Sequence, residues 1–411
     1  MTRSLPISAE VAIIGGGIIG CAAAYHLTRL GVRDVVVLER NAIGSAATSR
    51  AAALLTQVRA KTCLIPLVRQ THDDIAALEE VLGECLDKRI VGSLHLAGTQ
   101  ASRAEQAQLA RIAAENAITH AWIDRTQAVE RAPWLAADAF DSALFFPDDA
   151  FIDPYRLAAA YAAAAQKAGA ALRPGCAVTG LLASSGVVRG VRTQQGDIHA
   201  ACIIDAAGAW ANLLARDAGI GLPMAPVRSQ YWITGPDPLF PRDCPITVMP
   251  DARAYARPEV GGLLFGLRET RSVSADPASL PDQIDGFAFA DDPDGWTSLE
   301  DGADGLRRFL PALDRLEIRH YVMGLSTYTP DGLYILGPMP GVSGFIAATG
   351  CCGAGIAGAG GMGRIAAAQA IGQRPPWDAD PFRPGRLGPV DPFSADFRNR
   401  CAAARSDKKS G

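Results

Sequence analysis

The sequence predicts a mixed α/β (α+β) fold, a Rossmann-like nucleotide-binding domain joined to a second domain built on an antiparallel sheet. Three observations predict it. A strand, glycine turn, helix, strand and acid follow one another between residues 11 and 39. A stretch richer in Pro and aromatics, 221–324, alternates short strands. A second glycine-rich turn passes into a helix near residue 353. The chain has 411 residues, enough for two or three domains. Apolar residues are 49% and charged ones 20%, the balance of a chain able to bury a large core.

Val11-Ala12-Ile13-Ile14 reads as a short buried strand, and Gly15-Gly16-Gly17-Ile18-Ile19-Gly20 follows it. Residues 21–30 then read as a helix stopping at Gly31, and Val35-Val36-Val37-Leu38 as a second strand ending at Glu39, nineteen residues beyond Gly20. Each part of this strand, G-x-G-x-x-G, helix, strand, acid pattern has a physical task. Gly15 allows the tight turn, Gly17 lets backbone approach a pyrophosphate, and Gly20 lets helix and strand pack closely. The helix start, with Ile18 and Ile19, offers free N–H groups and a positive dipole to phosphate. Glu39 accepts hydrogen bonds from ribose hydroxyls, which disfavours a 2′-phosphate.

This unit alone leaves FAD and NAD both open. The segment Glu39-Arg40-Asn41-Ala42-Ile43-Gly44-Ser45-Ala46-Ala47-Thr48-Ser49-Arg50 is a loop of small and polar residues, and no repeated βαβ pattern follows it. Residues 64–86 read instead as a long amphipathic helix. The chain resembles the D-amino-acid oxidase superfamily of FAD enzymes, whose members carry an E-R-x-x-x-G-x-x-x-S pattern at this place. Within that group it is most similar to the sarcosine and dimethylglycine dehydrogenase and oxidase branch, glycine oxidase included, over about 11–371. The resemblance implies FAD as cofactor, with Arg40, Ser49 and Arg50 beside it.

Further along, Asp153-Pro154 opens a helix reaching residue 168, with Asp as N-cap and Pro at the first helical position. Residues 177–181 and 187–193 read as paired strands, and 198–205 as another. The run Ile203-Ile204-Asp205-Ala206-Ala207-Gly208 resembles the family's second FAD-contacting turn. That resemblance puts the Val178 backbone near adenine and Gly208 near the pyrophosphate. On the residues alone it is a buried strand ending at a glycine turn. Strands at 226–234 and 254–259, with a hairpin partner at 261–266, resemble the family's substrate domain. Tyr231, Tyr255 and Arg257 are its candidate pocket residues, against the plainer reading of cross-strand packing and an Arg257–Glu259 ion pair.

Gly344 to Gly350 reads as strand and turn, followed by Cys351-Cys352-Gly353-Ala354-Gly355-Ile356-Ala357-Gly358-Ala359-Gly360-Gly361-Met362-Gly363 and a helix to 371. A glycine within a helix costs about 1 kcal/mol relative to Ala. Close approach to a flat cofactor offsets that cost, and the alternative is a tight helix–helix contact. The family resemblance points the N–H groups of Gly353, Gly355 and Ile356 at the flavin pyrimidine. The implied layout is an FAD-binding domain from 1–90, 145–220 and 325–375. A substrate domain takes 91–144 and 221–324, and 376–411 forms a Pro-rich tail with a frayed, charged end at 406–411.

Net charge is −4 without long runs of one sign, which argues against nucleic acid as the main partner. The nine Cys lack zinc-site spacing, and no metal is expected. No signal peptide and no apolar run of about 20 residues is visible, so a cytoplasmic protein with reduced thiols is expected. His26 and His72 read as structural.

Family comparison also marks departures. Where some relatives attach FAD covalently through His or Cys, this chain has Arg50 and Gly324, so non-covalent FAD is expected. Ala354 and Ala357 stand where sarcosine oxidases carry a His and a Lys. The Lys that promotes their reaction with oxygen is missing near Leu264. A substrate carboxylate therefore falls to Arg257, Arg50 or Arg228, or the substrate lacks one. The expected activity is oxidation of a small secondary or N-methylated amine or amino acid by hydride transfer to flavin N5. Oxygen or an electron carrier would accept the electrons, with a slight lean to the carrier, and the sequence leaves an oligomer or a complex subunit open. Two other readings stay open: an FAD enzyme acting on a 2-hydroxy acid, and a flavin-binding subunit of a larger dehydrogenase.

Overall fold

The computed structural model describes residues 7–216 and 218–408. Five parallel strands form the centre of the first sheet. Their order is Ala171–Pro174, Val35–Glu39, Ser8–Ile14, Gly196–Asp205 and Phe345–Thr349. Ile335–Pro338 adds antiparallel at the outer edge. The hairpin Val178–Ser184 and Val187–Thr193 pairs with the opening half of Gly196–Asp205. Val35 to Leu38 are buried without alternation because both faces of this sheet are covered.

Alternate residues divide between two cores. Val11 and Ile13 pack under the helices Ile18–Arg29, Ile65–Leu82, Pro154–Lys167 and Gly355–Ala370, while Ala12 and Ile14 pack against the hairpin and Ala211–Arg216. The helix opened by Asp153-Pro154 forms as expected. The Asp153 carboxylate accepts the N–H of Arg156 at 2.9 Å. The amphipathic helix read at 64–86 is shorter, because Gly83 in the left-handed conformation ends it after Leu82. His26 donates or accepts at Asp74 (2.9 Å) inside a buried group that includes Tyr161, and His72 meets the Leu55 carbonyl.

The late glycines correct the expectation of a flat cofactor along the whole helix start. A Cβ on Gly361 would lie 2.3 Å from Leu67 Cα, and one on Gly363 2.6 Å from the Ala22 carbonyl carbon. Gly360 would meet the Thr71 backbone at 2.9 Å and Gly358 the Tyr334 hydroxyl at 2.6 Å. Their role is contact with neighbouring helices and with Tyr334, and only the first glycines of the run face the cavity described below.

A second sheet of eight strands gathers residues far apart in sequence. Its order is Ile318–Tyr328, Ala225–Thr234, Gly262–Leu267, Ala254–Glu259, Ile246–Met249, Ser93–Ala97, Ser142–Phe146 and Ala121–Ile123. It is antiparallel except where Ile246–Met249 runs alongside Ser93–Ala97. Period-2 alternation sends Trp232, Phe265 and Leu96 to one face, under the helices Arg125–Arg131 and Trp296–Phe309. Their neighbours Tyr231, Val248 and His95 face the other way, toward the first sheet.

The Pro-rich segment after residue 371 leads into a helix, Ala395–Ser406, capped by Ser394. Phe397, Cys401 and Ala402 bury against Val227 and Tyr328. This corrects the expectation of a frayed end for 406–408: Ser406 is 9% exposed and its hydroxyl meets Ser272. Residues 409–411 lie outside the described residues.

Candidate active site

One cavity of about 830 Å³ runs between the two sheets. Its outer end is built on the glycine turn. Gly15 has φ +100°, and a Cβ there would sit 2.5 Å from the Ala206 carbonyl oxygen. A Cβ on Gly20 would lie 1.9 Å from the Gly15 carbonyl oxygen, so Gly20 closes the turn against the helix and does not line the cavity. Gly17 differs from both: its Cβ direction meets only Thr48 Oγ1, at 3.3 Å, and it opens on the cavity with Ile18 and Ile19. The helix starts there without any side-chain cap. Gly16, to which the reading of the motif gave no task, is as constrained as Gly15. A Cβ on it would lie 2.8 Å from that of Glu39.

The Glu39 carboxylate is held by two backbone donors, Gly16 N–H to Oε2 and Asn41 N–H to Oε1, both at 2.7 Å. Fixed in this way at the cavity wall, it keeps lone pairs for a sugar hydroxyl. Arg40 lies over the Trp210 ring at 4.6 Å and reaches Asp282 at 3.1 Å. Val178 and Gly208 also line this end. Ser49 does not: it is exposed, and its hydroxyl donates to the Ala46 carbonyl at 3.2 Å. Thr48 stands in its place, buried on the cavity wall and accepting the Ile18 N–H at 3.1 Å. Arg50 lines the cavity beside Gly324, whose Cβ would lie 3.2 Å from that of Arg50, and its guanidinium binds Asp285.

Farther in, Gly353, Gly355, Ile356 and Ala357 form the opposite wall, where the helix Gly355–Ala370 also starts without a side-chain cap. Gly353 has φ +73°. Two uncapped helix starts therefore open on one cavity, the first behind a fixed acid. Helix starts attract anionic groups through free N–H donors and the dipole. This donor set fits FAD, with pyrophosphate at Gly17–Ile19, ribose at Glu39, and the electron-rich side of the flavin at Gly353–Ile356.

The inner end is roofed by the second sheet. One row crosses its strands, with His95 paired to Val248, Val248 to Tyr255, and Tyr255 to Gly266. A Cβ on Gly266 would lie 2.3 Å from the Tyr255 ring, so glycine there makes room for that phenol. Tyr231 and Tyr255 both line the cavity. Burial pushes the Tyr231 phenol up to about 12 and raises that of Tyr255, so both stay protonated as donors.

Arg257 is not in this lining. Its Nε donates to the Ala52 carbonyl at 2.8 Å, its guanidinium pairs with Glu259, and it stacks over Phe151 at 4.6 Å. The plainer reading holds for it, an ion pair within the strand, and its charge is engaged. Arg228 is likewise engaged, by Glu269 at 2.6 Å and Asp291 at 3.1 Å, away from the cavity. The cations at the inner end are ones that sequence reasoning missed: Arg59, Arg268, Arg405 and Lys408. His95 was missed as well. Burial, with the Arg59 charge, pushes its imidazole down to about 3, so it is neutral. None of them belongs to a motif, and none carries a local signal; they meet only through the fold.

Comparison with known proteins gives a consistent result. A family model described as "FAD dependent oxidoreductase" (DAO) matches residues 10–369. The mitochondrial dimethylglycine dehydrogenase of Mus musculus is 33% identical over 392 residues, 92% of this chain and 44% of that protein. The mitochondrial sarcosine dehydrogenase of Homo sapiens is 30% identical over 388 residues, 92% of this chain and 41% of that protein. The chain thus spans less than half the length of these relatives. Among solved structures, L-proline dehydrogenase from P. horikoshii matches with a TM-score of 0.82 at 24% identity, over 93% of this chain and 98% of that one. It shares the fold.

Proposed function

The chain belongs to the DAO family of FAD-dependent oxidoreductases, and from that premise we propose that it oxidises the C–N bond of a small secondary or N-methylated amine or amino acid. The product is an imine that water hydrolyses. The observation that carries this reading is the cavity itself, with a glycine-rich helix start on one wall and Tyr231, Tyr255 and His95 on the facing sheet. When bound, FAD supplies the hydride acceptor, N5 of its flavin.

The chain's own residues have three tasks. Gly15–Gly17, Ile18, Ile19, Glu39, Val178, Gly208, Gly353, Gly355 and Ile356 hold the cofactor, without a covalent link. Tyr231 and Tyr255, protonated, and His95, neutral, orient a polar substrate by hydrogen bonds and leave the C–H bond beside its nitrogen free to give up a hydride. The second sheet excludes bulk water from the inner end, which prevents early hydrolysis and fixes the reacting C–H bond. Oxygen or an electron carrier then accepts the electrons. No helix of the described residues is long and apolar enough to cross a membrane, and we place the protein in the cytoplasm.

The test is an anaerobic titration of the flavin-loaded protein with sarcosine, dimethylglycine, proline and D-alanine, followed at the flavin absorption band. Bleaching by one or more of these amines is expected. Bleaching by 2-hydroxy acids alone, or by none of these compounds, would overturn the assignment.

A further inference from the structure

The inner end of the cavity carries more positive charge than its own side chains neutralise. Arg59 is 5% exposed and lines it. One guanidinium nitrogen donates to Thr56 Oγ1 at 2.8 Å, and Nε has no partner among the described residues. The nearby buried acid, Asp149, is occupied elsewhere, accepting from Ser93 Oγ at 2.6 Å and from Gln57 N–H at 2.8 Å. Burial pushes its carboxyl up to about 6.

A second cation arrives from a different element. The helix Ala395–Ser406 docks on the second sheet, and the chain beyond it carries Lys408 into the cavity. The Lys408 ammonium donates to the Cys352 carbonyl at 3.2 Å, beside the Gly353 turn, and no carboxylate of the described residues binds it. Burial and the charges of Arg59, Arg268 and Arg405 push it down to about 7, which places all four cations in one field. Arg405 is neutralised by Glu269 at 3.0 Å, and Arg268 binds the Lys408 carbonyl. The acids lining the cavity among the described residues are Glu39 and Asp282. Both serve the outer end, Glu39 with Gly16 and Asn41, Asp282 with Arg40. His95, 2% exposed, has no partner for either ring nitrogen among the described residues and lines the same end.

A buried guanidinium, a half-buried ammonium and an unpartnered buried imidazole call for complementary groups, and a carboxylate suits a guanidinium. One carboxylate offsets one charge and leaves the other facing its own kind. We propose that Arg59 and Lys408 form a two-point anion site, so that the favoured substrate is an amine bearing two carboxylates, an amino- or imino-dicarboxylate, with His95 hydrogen-bonded to it. Lys408 is then a specificity-determining residue supplied by the segment after the last helix. This rests on the reading that the cavity takes an amine beside the flavin.

The test separates binding from turnover. The flavin-loaded full chain is titrated with succinate and with butyrate, unreactive acids of equal carbon count, and the shift of the flavin absorption band reports binding. Succinate is expected to bind about tenfold or more tightly than butyrate. Lys408→Met should erase that preference while Lys408→Arg retains it, and Arg59→Gln should weaken both acids. Equal affinity of the wild-type protein for the two acids overturns the proposal, whatever the variants do. So does a Lys408→Met protein that keeps the preference. Reduction rates with iminodiacetate and with dimethylamine then separate the two readings. If dimethylamine reduces the flavin as fast, the dicarboxylate assignment fails and amine oxidation stands. If succinate binds tightly and no amine reduces the flavin, amine oxidation fails and the anion site stands.

Discussion

At Gly17 the backbone faces the cavity with only Thr48 Oγ1 near its absent Cβ. A Val side chain there would fill the space a pyrophosphate needs, while the turn itself, set by Gly15 and Gly20, would survive. Gly17→Val should therefore fold with an unchanged far-ultraviolet circular dichroism spectrum and lose most of its flavin, by about tenfold or more in occupancy. A purified variant with full flavin content would refute the placement. Asp205 gives a second residue-scale expectation. Its Oδ1 accepts the Ala207 N–H at 3.0 Å, its Oδ2 has no partner among the described residues, and burial pushes its carboxyl up to about 7. Between about pH 4 and 7 the folded chain keeps a proton that the unfolded chain has released, so this contribution to stability is full below pH 4 and lost as pH rises through 7. Asp205→Asn should flatten that part of the pH–stability curve, read by urea unfolding at pH 4.5 and 7.5. A variant curve parallel to wild type would show that Asp205 ionises normally. Arginine roles show the limit of reading single residues. Arg257 sits in a strand of the second sheet yet is consumed by Ala52, Glu259 and Phe151, whereas Arg59 has no motif and opens on the cavity.

Elements carry the glycines of the late helix. Gly353 in the turn before it and Gly355 at its start line the cavity, but Gly358 to Gly363 press against the helices Ile65–Leu82 and Ile18–Arg29 and against Tyr334. The same composition serves two purposes along one helix, and the periodicity of the sequence does not separate them. At Gly361 the neighbour is backbone, Leu67 Cα at 2.3 Å from a Cβ, and it moves only if the whole helix moves. Gly361→Val should destabilise by about 1–3 kcal/mol or more, lowering the thermal midpoint by several degrees. An unchanged midpoint would mean that the helices separate at little cost. The helix Ala395–Ser406 is the other lesson at this scale. Half of its twelve residues are polar, yet Phe397, Cys401 and Ala402 bury against the second sheet, aided by the Arg405–Glu269 ion pair, and docking decides where Lys408 goes.

The whole molecule brings two sheets together over one cavity. Arg50 and Gly324, the positions where relatives with covalent flavin have a His or a Cys, meet at the wall of that cavity and offer no nucleophile. Cys351 also lines it, but burial pushes its thiol up to about 12, which leaves it un-ionised and unreactive at neutral pH. Acid precipitation should therefore release the flavin into the supernatant, measured by its absorbance. Yellow colour retained in the pellet would mean a covalent bond. What the sequence by itself determined were the features set by local chemistry. These are the turn of Gly15 to Gly20, the acid Glu39, the Asp153-Pro154 helix start and the period-2 strands that put Tyr231 and Tyr255 toward the cavity. Glycine conformation, capping and alternation act between residues close in sequence, so they are legible there. Tertiary structure alone decided which charges remain unneutralised. Arg59 and Lys408 come from distant segments, and whether a cation is spent on a neighbour or left for a ligand depends on which acids the fold places beside it.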